Sequence, residues 1–197
     1  MSSSPVVAVA GVILAGGASR RFGRTKQILD YRGRPFVRVV AETALAAGLS
    51  PVLVVTGADA QRVEEALSQV PVTCLRNRDW ASGQSSSVRA GVLALPAEVG
   101  AAVFLLADQP QVTQDVVRAL VEAHARGSPP IVVPTVDGRR ANPVLFDRAT
   151  FRDLLSLSGD VGGRQLFANH SVEDLPWPDP DLLLDVDTPE DYRKLHP

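Results

Sequence analysis

Val12-Ile-Leu-Ala-Gly-Gly-Ala-Ser-Arg-Arg-Phe-Gly-Arg-Thr-Lys26 runs from a short apolar strand straight into a glycine pair, arginines and a lysine. Glycines let the backbone take positive φ and approach a ligand closely. Amides exposed in such a turn point at anions, and Arg and Lys add full charges. Directly after a buried strand, this combination predicts a loop that holds a phosphorylated ligand; the competing reading is a basic surface turn. Two common phosphate-binding patterns do not fit. A P-loop needs Gly, four residues, Gly-Lys and a hydroxyl residue. Here five residues separate Gly17 from Gly23, and Arg24 follows. The dinucleotide fingerprint Gly-x-Gly-x-x-Gly is also absent from the loop.

Outward from this loop, apolar strand-like runs alternate with helical patterns. Residues 6–14 form a continuous apolar run, as expected of a strand buried on both faces. Helical spacing over 35–47 ends at Gly48, and 51–55 reads as a second strand. Helices at 59–69, 84–95 and 114–126 then alternate with strands at 72–75, 101–107 and 131–134. A β-α repeat of this kind predicts a mainly parallel, Rossmann-like sheet with helices on both faces, an α/β/α three-layer fold. After Pro134 the pattern loosens. Residues 136–140 resemble a hairpin turn with 142–146 as its returning strand, and short helices are expected at 147–156 and 162–169. Residues 182–186 read as a late strand. Thr188-Pro-Glu-Asp191 starts a final helix, with Thr as cap, Pro at the first position and acids in the first turn.

No linker divides the chain, so residues 1–197 are read as one domain with 1–5 as a flexible tail. The formal charge of −2 gives no support to nucleic-acid or membrane-surface binding. No apolar run approaches the ~18 residues needed to span a membrane, and the N-terminus lacks the basic region of a signal peptide. Cys74 stands alone, so no intrachain disulfide forms; a cytoplasmic location is expected. In its strand context Cys74 reads as a small core residue.

Ligands of doubly wound sheets bind at the carboxyl ends of the strands, where several polar residues are expected to meet. Asp108 ends the strongly apolar run 103–107 in Leu-Leu-Ala-Asp-Gln-Pro110. A carboxylate there suits Mg²⁺, which takes one or two carboxylates plus substrate phosphates; it equally suits a turn former. Asp185 and Asp187 share one face if 182–186 is a strand, and one of them would complete a metal site or simply precede the capped helix. Ser82-Gly-Gln-Ser-Ser-Ser-Val-Arg-Ala-Gly91 places Ser85 and Ser86 at a helix start, able to hold a base or phosphate or merely to cap. Gly159-Asp-Val-Gly-Gly-Arg164 is a second glycine-rich turn with a cation, fit for an anionic second substrate or for a plain inter-helix turn. His124, His170 and His196 have no zinc or triad spacing, and Ser87 lacks the Gly-x-Ser-x-Gly elbow of a hydrolase.

Taken in order, Leu14-Ala-Gly-Gly-x-x-x-Arg21-x-Gly23-x-x-Lys26, Asp108-x-Pro110, Asn142-Pro-Val144 and Asp185-x-Asp187-Thr-Pro-Glu-Asp191 resemble the MobA-like nucleotidyltransferases. These are the molybdenum cofactor guanylyl- and cytidylyltransferases. The resemblance covers about residues 9–195. It implies a nucleotide-diphospho-sugar-transferase-like fold and transfer of a nucleoside monophosphate from an NTP, CTP or GTP, to molybdopterin. By that likeness Leu14, Ala15, Gly16 and Gly17 contact base and ribose, and Arg21 and Lys26 hold the triphosphate. Asp108 and Asp187 ligate Mg²⁺, while Asn142, Pro143, Gly162, Gly163 and Arg164 face the acceptor. A molybdenum enzyme receiving the finished cofactor is an implied partner. The chain departs from the guanylyl pattern at Phe22, where Met is usual, and at Thr25, where Asp is usual. Gly16-Gly17 resembles the guanylyl type, whereas residues 83–91, 142–146 and 159–164 resemble the cytidylyl type, which favours CTP. Alternatives are a transferase of this fold acting on a sugar or polyol phosphate, and a non-catalytic nucleotide- or cofactor-binding factor that matures molybdenum hydroxylases.

Overall fold

β1 (Ala8–Ala15) lies at the centre of the molecule and pairs in parallel on both sides. On one side stands β4 (Val52–Thr56), with Ile13 opposite Val54; on the other stands β6 (Val99–Leu106), with Ile13 opposite Leu105. A strand flanked on both edges and covered on both faces needs apolar side chains pointing both ways, and Ala10, Val12 and Ile13 are fully buried. β5 (Thr73–Arg76) extends the parallel half beyond β4. The computed structural model describes residues 8–19 and 22–195. The expected tail 1–5, the first two residues of the expected strand 6–14, Arg21 and His196 lie outside the described residues.

The far half of the sheet is mixed. β9 (Val144–Asp147) runs antiparallel to β6 and also to β7 (Ile131–Val136), lying between them. The turn expected at 136–140 forms, with Asp137 and Gly138 at φ of 49° and 74°, and it pairs β8 (Arg139–Arg140) with the end of β7. The returning strand is not the simple second arm of that hairpin: it begins at Val144 and inserts beside β6. Val144, Leu145 and Phe146 are buried on both faces, as a central position requires. β10 (Val172–Pro176), which the sequence reading left without a strand, adds in parallel outside β7. Its polar residues Glu173 and Asp174 suit an edge and hide the pattern of a buried strand.

Helices cover the two faces separately. α1 (Phe36–Ala46), α2 (Ala60–Ala66) and α4 (Gln114–Gly127) pack over Ile13, Val54, Val103 and Leu105. α3 (Gln84–Leu93) and α5 (Phe151–Ser156) pack over Val12, Val55, Phe104 and Phe146. The alternation of neighbours such as Val12 and Ile13 between these clusters is the period of two expected of a strand. The expected α/β/α layering is therefore present, and the expected turn of helix near 162–169 is a 3₁₀ segment, Gly163–Ala168. A third cluster gathers Phe22, Tyr31, Phe36, Val186 and Leu195 around the short ribbon of β2 (Asp30–Tyr31) and β3 (Arg34–Pro35).

The late strand expected over 182–186 is absent. Pro180–Leu183 is a 3₁₀ turn whose Asp179 side chain accepts from the Asp181 amide. The apolar run that suggested a strand is buried by packing instead: Leu182 joins the cluster under α1 and α4, and Val186 joins the aromatic cluster. α6 (Pro189–Lys194) begins as expected, with a reciprocal capping box between Thr188 and Asp191.

Two outcomes follow for stability. Gly91 of α3 packs so closely on β1 that an added Cβ would lie 2.5 Å from Val12 Cγ1. Ala in a helix interior gains about 1 kcal/mol over Gly, but overpacking a stiff β-branched neighbour costs about 1–3 kcal/mol. Gly91→Ala is therefore expected to lose about 1–2 kcal/mol in urea unfolding. The Thr188 hydroxyl, then Lys194, hold the Asp191 carboxyl at about 2, below its ordinary 3.8. A lowered folded pKa stabilises above the unfolded value and is lost as pH falls through the folded one. Stability measured between pH 4 and pH 2 is expected to fall less steeply in Asp191→Asn than in the wild type.

Candidate active site

The parallel strands run in the order β5-β4-β1-β6, so chain connections diverge between β1 and β6. In open α/β sheets ligands bind outside the carboxyl ends of the strands at that switch point. The loop after β1 and the loop after β6 leave the sheet there side by side, tied by the Ala107 amide donating to Leu14 O at 3.1 Å. Above them opens a cleft of about 580 Å³ lined by both loops, by Lys26 and Asp187, and by residues 80–84 and Asp160.

The first loop is folded back on itself by side chains. Gln27, 5 % exposed, donates from Nε2 to Gly17 O at 2.9 Å. Ser19 Oγ donates to Gln27 Oε1 at 3.3 Å and accepts from the Lys26 amide at 3.0 Å. Thr25, the departure from the guanylyl pattern, donates its hydroxyl to Asp59 and accepts from Arg62 at 3.3 Å, docking the loop on α2. The outcome is that Lys26, ten or more residues beyond the strand, returns to the strand's end.

Lys26 Nζ lies 2.7 Å from Asp108 Oδ2, 3.0 Å from Asp187 Oδ1 and 2.8 Å from Val186 O. An ammonium has three N–H donors, so all three are engaged. Burial pulls the Lys26 pKa down, but the Asp108 and Asp187 carboxylates outweigh it and hold the group above its ordinary value. One cation therefore reaches both carboxylates that the sequence singled out, from segments 79 residues apart along the chain (187 − 108). Among the described residues no group of three or more His, Cys, Asp and Glu side chains forms a metal site. Any metal here would be held by these two carboxylates together with oxygens supplied from elsewhere.

The opposite wall is the start of α3. Gln84 and Ser87, one helical turn apart, line the cleft with Trp80, Ser82 and Gly83. Ser85 and Ser86 do not: Ser85 Oγ donates to Gly159 O at 2.7 Å, and Ser86 Oγ donates to Gly83 O at 2.8 Å. Asn77 Nδ2 bridges Ser86 Oγ and Ser87 Oγ at 2.8 and 3.1 Å. The helix begins at Gln84 as expected, and its packing against Gly159 turns Ser85 away and leaves Ser87, one turn after Gln84, on the cleft side. The second glycine-rich turn reaches the cleft through Asp160, whose carboxylate accepts the Gln84 amide at 3.2 Å. Gly162 packs over Gln84, Gly163 over Phe146, and Arg164 is exposed. Asn142 is half-buried and Pro143 buried, and neither lines the cleft. Sequence reasoning missed Trp80, Gln84 and Asp160 as lining residues, and Gln27 as the loop's internal brace.

On the β6 side, Gln109 and Gln111 each leave a buried Oε1 without a partner among the described residues. A buried unpaired acceptor costs about 1–3 kcal/mol. No helix among the described residues is long and apolar enough to cross a membrane.

Residues 11–175 match the MobA-like NTP transferase domain. Nicotine blue oxidoreductase of Paenarthrobacter nicotinovorans is 34% identical over 204 aligned residues, covering 99% of this chain and 100% of that protein. Purine catabolism protein PucB of Bacillus subtilis is 33% identical, covering 92% and 93%. Molybdenum cofactor cytidylyltransferase of Escherichia coli is 26% identical, covering 92% of each. Among solved structures, Rv0371c of Mycobacterium tuberculosis in complex with manganese superposes with a TM-score of 0.83 at 28% identity, covering 95% of this chain and 97% of that one.

Gly83 sits at φ 108°, and a Cβ there would lie 2.5 Å from Gly159 O. Such backbone strain costs about 1–3 kcal/mol. Gly83→Ala is expected to lose at least about 2 kcal/mol in chemical unfolding and to free the 159–164 turn from α3, seen as faster amide exchange in that turn.

Proposed function

The chain belongs to the MobA-like NTP transferase family, and from that premise we propose that it transfers a nucleoside monophosphate from an NTP to the terminal phosphate of molybdopterin, releasing pyrophosphate. Support comes first from the Lys26, Asp108 and Asp187 node at the switch point of the sheet. CTP is the preferred donor in this reading. It is supported by the cytidylyl-like segments 83–91, 142–146 and 159–164 and by the E. coli cytidylyltransferase, which aligns with 92% of the chain. The whole chain is taken as one domain acting in the cytoplasm, passing its product to a molybdenum enzyme.

An oxygen of the acceptor phosphate forms the new bond to the α-phosphorus, and the bond to the bridging α–β oxygen breaks. The attacking phosphate is already ionised at neutral pH, so no general base is required. Protein chemistry is then a matter of in-line positioning and charge neutralisation. Mg²⁺, when bound by Asp108 and Asp187, supplies charge neutralisation for the phosphates. The donor set fits: both ligands are hard carboxylate oxygens, and the Lys26 ammonium already stands in for a cation between them at 2.7 and 3.0 Å. The manganese complex of Rv0371c supports a divalent ion in this fold. Leu14 to Gly17 take base and ribose, Ser87 and Gln84 flank them, and Arg21 joins Lys26 on the triphosphate. Asp160 and the turn through Gly162, Gly163 and Arg164, with Asn142 and Pro143 behind, form the acceptor side.

Lys26 cannot grip a phosphate while its three donors are engaged. It must release at least one of its three partners, and where that partner is a carboxylate, Asp108 or Asp187 then needs another cation. Metal and NTP binding are therefore coupled through one lysine. Lys26→Met is expected to lower pyrophosphate release by at least about 10²-fold. The same change is expected to tighten nucleotide-free Mn²⁺ binding about fivefold or more, since allosteric couplings run from about 5- to 150-fold. Unchanged or weaker Mn²⁺ binding would show that lysine and metal do not compete.

The decisive assay is pyrophosphate release from CTP, GTP, ATP and UTP with Mg²⁺ and molybdopterin. Turnover is expected with CTP ahead of GTP and a loss of at least about 10²-fold in Asp108→Ala. No turnover with any of the four sinks the reading. The 34% identity to nicotine blue oxidoreductase along its whole length favours a second reading, an oxidoreductase, which predicts reduction of nicotine blue by an added hydride donor that is itself oxidised.

A further inference from the structure

Asp108 follows β6 directly, so the sheet positions it. Asp187 is different: it ends the strap 181–187, of which the sequence reading took 182–186 for a strand and which no sheet pairing holds. Two side chains from the Asp108 loop grip that strap. Gln109 Nε2 donates to Asp185 Oδ1 at 2.7 Å. Gln111 Nε2 donates to Leu184 O at 2.6 Å and to Asp181 O at 3.3 Å. The turn that carries one carboxylate thus holds the segment that carries the other.

Both glutamines do this at a cost, because each leaves its Oε1 buried without a partner among the described residues. An apolar side chain of similar size avoids that cost, and the acceptors it would leave at Asp181, Leu184 and Asp185 lie on a segment open to water, so stability alone does not account for the amides. Their geometry does something an apolar side chain cannot. Gln109 occupies the Asp185 carboxylate, and the ammonium of Lys26 meets Asp187 instead. Of the two acids that the sequence left as alternatives, the amide ties up one while the other faces the lysine.

We propose that Gln109 and Gln111 are positioning residues that set Asp187 against Asp108 and thereby fix the affinity of the site for a divalent cation. The proposal rests on the metal-dependent reading above and assigns a role to two residues outside the cation node. Removing such outer partners of a metal site typically weakens binding about 10- to 100-fold.

The test uses the full chain with Gln109→Leu, Gln111→Leu and the pair together. Mn²⁺ is titrated by electron paramagnetic resonance in the presence of CTP, amide exchange is followed over 181–187, and thermal melting is recorded in parallel. The expected result is a melting temperature equal to or above wild type, faster exchange in the strap, and Mn²⁺ affinity about tenfold weaker or more. Pyrophosphate release is expected to recover toward the wild-type rate at saturating Mn²⁺, a shift in the metal requirement and not in the chemistry. Wild-type Mn²⁺ affinity in both variants, or affinity that falls only in step with melting temperature, overturns the proposal. Should the wild type itself bind no Mn²⁺, the metal-dependent reading falls. Strap exchange then judges the glutamines alone, and unchanged exchange rejects them as positioning residues.

Discussion

Two carboxylates held at one edge of a buried sheet require a cation between them, and in this protein Lys26 provides it. Like charges at such short range, in partly desolvated surroundings, are costly unless paired. The loop after β1 is built around meeting that requirement. Gln27 fastens its glycines, Ser19 turns its backbone, and Thr25 docks it on Asp59, all of which deliver Lys26 to Asp108 and Asp187. A lysine with every donor engaged is also one that has to let go before it can act on a substrate. The same contact that pairs the two carboxylates therefore sets the order in which charges are exchanged.

The sheet makes this meeting possible. β1 and β6 are parallel neighbours, so their carboxyl ends emerge together, while β4 and β6 diverge on either side of β1. Beyond β6 the chain runs first to β7, returns as the antiparallel strand β9 that inserts between β6 and β7, and then reaches the outer strand β10. The strap that brings Asp187 back is anchored by apolar contacts at two points, Leu182 in the main core and Val186 among Phe22, Tyr31 and Phe36. Phe22 belongs to the loop after β1 and Val186 adjoins Asp187, so one small aromatic cluster couples the two.

What was legible in the sequence follows from this division of labour. The parallel half was readable because its inner strands β1, β4 and β6 are apolar almost throughout and the helix after β1 has its own period and stop signal, Gly48. The Thr188 cap was readable because a capping box is local chemistry. The strap was misread because Leu182-Leu-Leu184 is apolar for burial against two clusters, and a run of that length looks the same as a strand. β10 was missed because an edge strand keeps its polar residues. At the site, Lys26, Asp108 and Asp187 stood out through position and charge. The start of α3 at Gln84 was read correctly, but Ser85 and Ser86 were chosen over Ser87 because the face that the helix turns to the cleft is set by its packing on the 159–164 turn, far away along the chain.

The two walls of the cleft differ in how they are made, and that difference bears on specificity. In the cation node only Asp108 sits directly at a strand end; Lys26 is delivered to it by a loop braced through Gln27, and Asp187 by a strap anchored in the core at Leu182 and Val186. The wall formed by Trp80 to Gln84 and the 159–164 turn is built from irregular backbone, joined by a few hydrogen bonds such as that from the Ser85 hydroxyl to Gly159 O. Loops on a rigid scaffold vary without loss of the fold. On the proposed reading, family membership speaks most directly to the cation node, and relatives whose names point to quite different chemistries would share the scaffold while differing in the loop wall.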